Sequence, residues 1–154
     1  MSNRIDGRLK ELGIELPEAP APAANYVPFV VSGALVFVSG QVSADSSGLI
    51  CGRLGDDMSV EQGRHAARSC AMNLLAHLRT ACGGDLDRMV RVVRLGGFVN
   101  CTREFTDQPA VVNGASDLIV DVFGDRGRHA RTAVGCGSLP LGVAVEVDGI
   151  FQVR

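Results

Sequence analysis

From Val143 to Val153 the chain alternates. Val143, Val145, Val147, Gly149, Phe151 and Val153 fill the odd positions, and Ala144, Glu146, Asp148, Ile150 and Gln152 the even ones. Successive side chains of a strand leave on opposite faces, so this period predicts a strand whose odd face packs under helices. The even face, with Glu146 on it, points away from the core, toward water or another subunit.

Two longer periods supply the covering helices. Ser59 and Gln62 have capping-box spacing, and Ala67, Cys70, Ala71, Leu74, Leu75, Leu78 and Cys82 recur at three- and four-residue steps up to Gly83-Gly84, predicting a helix over 59–82. A second helix is expected from Thr106 or Asp107, with Pro109 in its first turn, an apolar stripe from Val111 to Phe123 and a stop at Gly124. Residues 2–13 read as a short amphipathic helix closed by Gly13, and the prolines that follow predict an extended connector. Phe29–Val31 and Ala34–Ser39 form a hairpin about Ser32-Gly33, residues 43–57 a glycine-rich loop, and Met89–Cys101 a strand with Gly96-Gly97 as a bulge or a close backbone approach. Strands over 130–137 and 142–153 end the chain. Residues 138–141 are too few for a parallel crossover, so these two strands are expected either to pair as an antiparallel hairpin or to part within the sheet. The order predicts an α+β fold: a mostly antiparallel sheet with two helices on one face.

The 154 residues suit one domain, 1–154, in which 1–25 is an extension and 26–154 the core. A hydrophobic fraction of 46% with 21% charged is that of an ordinary globular protein, and a net charge of -2 excludes a general basic field for nucleic acid or anionic membrane. The amino terminus lacks the apolar run of a secretory signal, and the stretch Tyr26–Gly40 is too short for a membrane span and is broken by Pro28, Ser32 and Gly33. A cytoplasmic location is expected. The five cysteines are odd in number and contain no CxxC pair, which predicts reduced, mostly buried thiols rather than disulfides or zinc. His65, His77 and His129 have no ligand spacing, so no metal is expected.

Arg131 shares one side of its strand with Ala133 and Gly135, and an arginine beside very small residues leaves room for a ligand. Its planar fork suits a substrate carboxylate; the alternative is a surface ion pair, with Glu146 as one partner. Glu146 reads either as a base that positions water or as a solvated strand residue. The cluster GDRGRHAR over 124–131 lacks a phosphate-loop pattern, and with one Tyr and no Trp in the chain it reads as a solvated turn. On spacing alone Asn113 is a polar helix residue.

The segment ARTAVGCGSLPLGVAVEVDGIFQV, residues 130–153, resembles the carboxyl-terminal motif of the Rid family, the reactive intermediate deaminases, also called YjgF-type proteins or endoribonuclease L-PSP. APAANYVPFV before the first hairpin, Ser39-Gly40-Gln41 and PAVVNGA around Asn113 extend the resemblance over about 20–154. It implies a chorismate-mutase-like domain assembled as a homotrimer with sites in clefts between subunits. It also implies hydrolysis of 2-imino acids, or their enamine tautomers, to 2-keto acids and ammonia without metal or organic cofactor. Carried over, Arg131 would hold the substrate carboxylate and Glu146 would activate the water. Backbone groups at Gly40 and Ala133 would touch substrate, and Ser39 and Asn113 would line the cleft. Phe29 stands where active members usually have a tyrosine, and Ala133 replaces a frequent cysteine. The implied partners are a small 2-imino or 2-keto acid and further copies of the chain, with no membrane and no nucleic acid. Arg131 and Glu146 are thus expected on adjoining β-segments, converging in a pocket that a neighbouring copy completes. A non-catalytic module that binds a small carboxylate or regulates a partner is the alternative reading; an RNA-cleaving protein is a further one, which the acidic balance disfavours.

Overall fold

The computed structural model describes residues 3–19 and 25–154. Helix α1, Arg4–Glu11, begins at Asn3, whose side chain accepts the Asp6 N–H, and is closed by Gly13 at φ +66°. Ile5, Leu9 and Ile14 are buried in the main core, and Arg79 binds Asp6 at 2.7 Å, so this segment is fastened to the rest of the fold. The expected connector falls in part on residues 20–24, outside the described residues.

Strands β1, Phe29–Ser32, and β2, Leu35–Val42, form the expected hairpin, with Gly33 at φ +60° in its turn. The glycine-rich loop holds a small hairpin of its own, β3, Ala44–Asp45, and β4, Gly48–Leu49. Helix α2, Val60–Ala81, carries the capping box of Ser59 and Gln62. Strand β5, Met89–Asn100, leads to helix α3, Gln108–Phe123, and then to β6, Ala130–Cys136, and β7, Val145–Val153. The order in the five-stranded sheet is β1-β2-β7-β5-β6, antiparallel throughout except for the parallel pair β5 and β6.

The final strands are therefore not a hairpin: β5 lies between them. The physical reason is α3. A helix between β5 and β6 returns the chain to the same end of the sheet, so β6 docks parallel to β5 as the edge strand. Residues 137–144 then carry the chain past the end of β5, where Asn100 N–H donates to Ala144 O at 2.8 Å, and β7 enters between β2 and β5. Gly96 and Gly97 mark close approach rather than a bulge. A β-carbon on Gly97 would come within 2.6 Å of Val112 on α3, while the register shifts of β5 lie between Met89 and Arg94.

The alternation of β7 is realised. Val145, Val147 and Phe151 are fully buried beneath α2 and α3 together with Leu74, Leu75, Leu118 and Ile119, whereas Glu146, Asp148 and Ile150 are half-exposed. Among the described residues nothing covers the opposite face. Val30, Phe37 and Val134 stand there 52%, 42% and 40% exposed, and Arg94 pairs with Asp148 at 3.6 Å. All five cysteines are free, and Cys70, Cys82 and Cys101 are buried. No helix among the described residues is long and apolar enough to cross a membrane.

Candidate functional site

Arg131 sits on the edge strand β6 in register with Leu95 of β5. Leu95 is buried under the helices, so Arg131 leaves the sheet on the helix side. There its Nη1 donates to Asn113 Oδ1 at 2.7 Å and to Ser116 Oγ at 3.1 Å. Asn113 and Ser116 lie three residues apart on α3, on the helix face turned to β6. Among the described residues no carboxylate lies within ion-pair distance of Arg131, which removes the ion pair with Glu146. Both Nη1 protons are engaged, and the Nε–Nη2 edge presents two parallel N–H groups with no partner among the described residues. Ala133 and Gly135 follow on the same side of β6. At the end of that row a cavity of about 330 Å³ opens, lined in part by Arg53, Cys101, Gln108 and Gly135.

Glu146 belongs to a second cluster. The register of β2 shifts between Val38 and Gln41, which places Ser39 and Gly40 in a bulge beside β7. A β-carbon on Gly40 would overlap the Glu146 carboxylate, with the carboxyl carbon only 3.1 Å away, so glycine is what admits that side chain. Ser39 Oγ donates to Val27 O at 2.7 Å, and Ser39 N–H to Pro28 O at 2.8 Å, which fix the bulge. Burial first, and Asp148 second, push the Glu146 carboxyl above the ordinary range. Phe29 pairs with the buried Val38, and its half-buried ring packs on the core side, away from the face of Glu146.

Within one chain Arg131 and Glu146 do not converge, and their strands do not adjoin. Arg131 is in register with Leu95 and Glu146 with Phe98, an odd number of residues apart on β5, so the two groups occupy opposite faces. The expected residues thus fall into two separate clusters: Arg131, Asn113 and Ala133 at the β6 edge, and Ser39, Gly40 and Glu146 beside the β2 bulge.

Two residues near the first cluster escape a reading by spacing. Ser116 Oγ lies 2.9 Å from His129 Nε2, and His129 Nδ1 lies 2.6 Å from Gly127 O. The three-residue step from Asn113 to Ser116 is the signal that could have found the serine. The basic turn is solvated at Asp125 and Arg128, which pair at 3.4 Å while exposed, whereas Arg126 donates to Met89 O at 2.9 Å and ties the turn to β5. Among the described residues no three His, Cys, Asp or Glu side chains gather as a metal site.

The chain is 50% identical to Protein TCP17 of Trypanosoma cruzi over 99% of its own length and 96% of that protein. It is 24% identical to the 2-iminobutanoate/2-iminopropanoate deaminase of Dermatophagoides farinae, covering 92% of this chain and 95% of that one. A crystal structure of an Agrobacterium tumefaciens protein of unknown function is similar with a TM-score of 0.92 at 48% identity, covering 99% of this chain and 94% of that chain. Residues 6–149 match the family model described as "YjgF/chorismate_mutase-like, putative endoribonuclease". With its mostly antiparallel sheet, its helices on one face and this match over most of its length, the chain belongs to the YjgF/chorismate-mutase-like family.

Proposed function

We propose that the protein is a homotrimeric deaminase that hydrolyses 2-imino acids, or their enamine tautomers, to 2-keto acids and ammonia in clefts between copies. The observation that carries this reading is Arg131, pinned at Nη1 by Asn113 and Ser116 with its Nε–Nη2 edge open. That edge fits a carboxylate through two parallel charge-assisted bonds. The half-exposed apolar sheet face offers the surface on which other copies pack, and such packing brings Glu146 of one copy toward Arg131 of the next.

The imine carbon is already electrophilic, so positioning and one base suffice. Water held by Glu146 adds its oxygen to the carbon of C=N while the carboxylate takes the water's proton. That proton passes to the nitrogen, giving a carbinolamine; the carboxylate then takes the hydroxyl proton and returns it to the nitrogen as C=O forms and the C–N bond breaks, so ammonia leaves with the keto acid held on Arg131. A carboxyl whose pKa is raised toward the working pH both accepts and returns the proton. The distant similarity to a mite 2-iminobutanoate/2-iminopropanoate deaminase supports the same reading.

The test is to generate 2-iminobutanoate in situ and follow its disappearance. Acceleration by the wild type, lost in Arg131→Ala and in Glu146→Gln, supports the deaminase; no acceleration, or an Arg131→Ala variant as fast as the wild type, overturns it. One observation favours a second reading, a trimer that binds a small carboxylate without turnover: Phe29 brings no hydroxyl and its ring faces the core. That reading predicts thermal stabilisation by 2-oxobutanoate in a protein that leaves the imine untouched.

A further inference from the structure

The turn that leads into β6 carries a histidine that the proposed reaction does not use. His129 Nδ1 lies 2.6 Å from Gly127 O, and a carbonyl only accepts, so Nδ1 holds the ring proton. In the neutral ring Nε2 is then an acceptor, and Ser116 Oγ, 2.9 Å away, donates to it. With its proton so directed, Ser116 offers its lone pairs to Arg131 Nη1, which donates to it at 3.1 Å. Each proton along this chain has one place. A serine inside a helix ordinarily turns its hydroxyl back on the preceding turn, whereas α3 offers this one outward.

The surroundings keep the ring neutral. Arg131 lies beyond Ser116, and Arg91 of β5 and Arg128 line the same shallow depression of about 430 Å³ as His129. Arg128 is itself paired with Asp125. Burial, joined by the charge of Arg131, holds the His129 pKa below the ordinary histidine range, against the opposing pull of the Gly127 carbonyl. A protonated ring would present an N–H at Nε2 and reverse the bond to Ser116.

We propose that His129, acting through Ser116, is the positioning residue of Arg131. It fixes the Nη1 end of the guanidinium and so aims the Nε–Nη2 edge at a carboxylate. The ligand half of this statement rests on the deaminase reading; the restraint on the guanidinium can be read without any ligand.

The experiment has two arms. In the first, nitrogen-proton NMR of the Arg131 side chain reports rotation about its Cζ–N bonds. Slow rotation is expected in the wild type, about tenfold faster in Ser116→Ala and His129→Phe, and slow again in His129→Gln, whose amide oxygen can accept from Ser116. In the second, calorimetry measures 2-oxobutanoate affinity and the imine assay separates KM from kcat. Ser116→Ala and His129→Phe are expected to weaken binding and raise KM by about fivefold to twentyfold, with kcat within about twofold and His129→Gln near the wild type. Arg131→Gln is the control that loses binding. If the wild type consumes the imine and Arg131→Gln loses binding while Ser116→Ala and His129→Phe keep both the affinity and the slow guanidinium of the wild type, the positioning role is overturned and the deaminase reading stands. If the guanidinium is freed in those variants but the wild type neither binds 2-oxobutanoate nor accelerates loss of the imine, the positioning role is supported and the deaminase reading falls. Should His129→Phe fail to fold, Ser116→Ala and His129→Gln carry the comparison.

Discussion

Arg131 and Glu146 stand on opposite faces of one sheet, with β5 between their strands. No side-chain rotation brings them together inside one chain, because each face is fixed by the pleat. If the reaction needs both, each working site draws Arg131 from one copy and Glu146 from another. Chains carrying Arg131→Ala and chains carrying Glu146→Gln, inactive separately, should regain about a quarter of wild-type activity when unfolded together and reassembled at equal amounts, by random pairing of copies. Absence of recovery in mixed assemblies would exclude a site divided between copies.

Glu146 should set the pH behaviour. Its folded pKa is raised above the ordinary glutamate range by burial and by Asp148, so the folded state holds the proton more tightly than the unfolded one. The stability this contributes is complete below the unfolded pKa and is lost as pH rises through the folded one. Glu146→Gln should therefore melt higher than the wild type at about pH 7, with the gap closing toward about pH 4. Activity runs the other way, rising with pH as the carboxyl ionises into a base. Equal melting temperatures across this range would remove the argument.

The Gly40 contact can be tested by one added methyl group. In Gly40→Ala the new carbon meets the Glu146 carboxylate, which must then swing away. We expect kcat/KM to fall by about tenfold or more while stability drops by about 1–3 kcal/mol, as for other overpacked positions. Steady-state kinetics beside urea unfolding separate the two effects, and unchanged kinetics would show that the carboxylate's placement does not matter.

Thiol chemistry gives a test of the core that is independent of function. Cys51 is exposed, whereas Cys70 and Cys82 are buried and burial raises both pKa values. Iodoacetamide should alkylate Cys51 at least about tenfold faster than Cys70 or Cys82 in the native protein, with all five cysteines reacting after denaturation. Peptide mass spectrometry reads the order, and early labelling of Cys70 would contradict the packing of α2 on the sheet.

Much of this architecture was legible without coordinates because it rests on local rules. The capping box at Ser59 and Gln62, the stop at Gly124 and the alternation of β7 each depend on residues a few positions apart, and each appears in the fold. The pairing of strands did not follow from local rules. Whether β7 lies beside β6 or beyond β5 depends on where α3 returns the chain, and that is decided by packing between residues far apart in sequence.

The amino-acid sequence by itself determined the main helices and the strands of the large sheet, the buried face of β7, and that Arg131 lies on β6 and Glu146 on β7. Only the tertiary structure decided that they face opposite ways, that Asn113 and Ser116 hold the arginine, and that His129 stands behind the serine. Periodicity specifies the direction of a side chain relative to its own backbone; its partners across the sheet are set by non-local strand order and by the seating of α3 against β6.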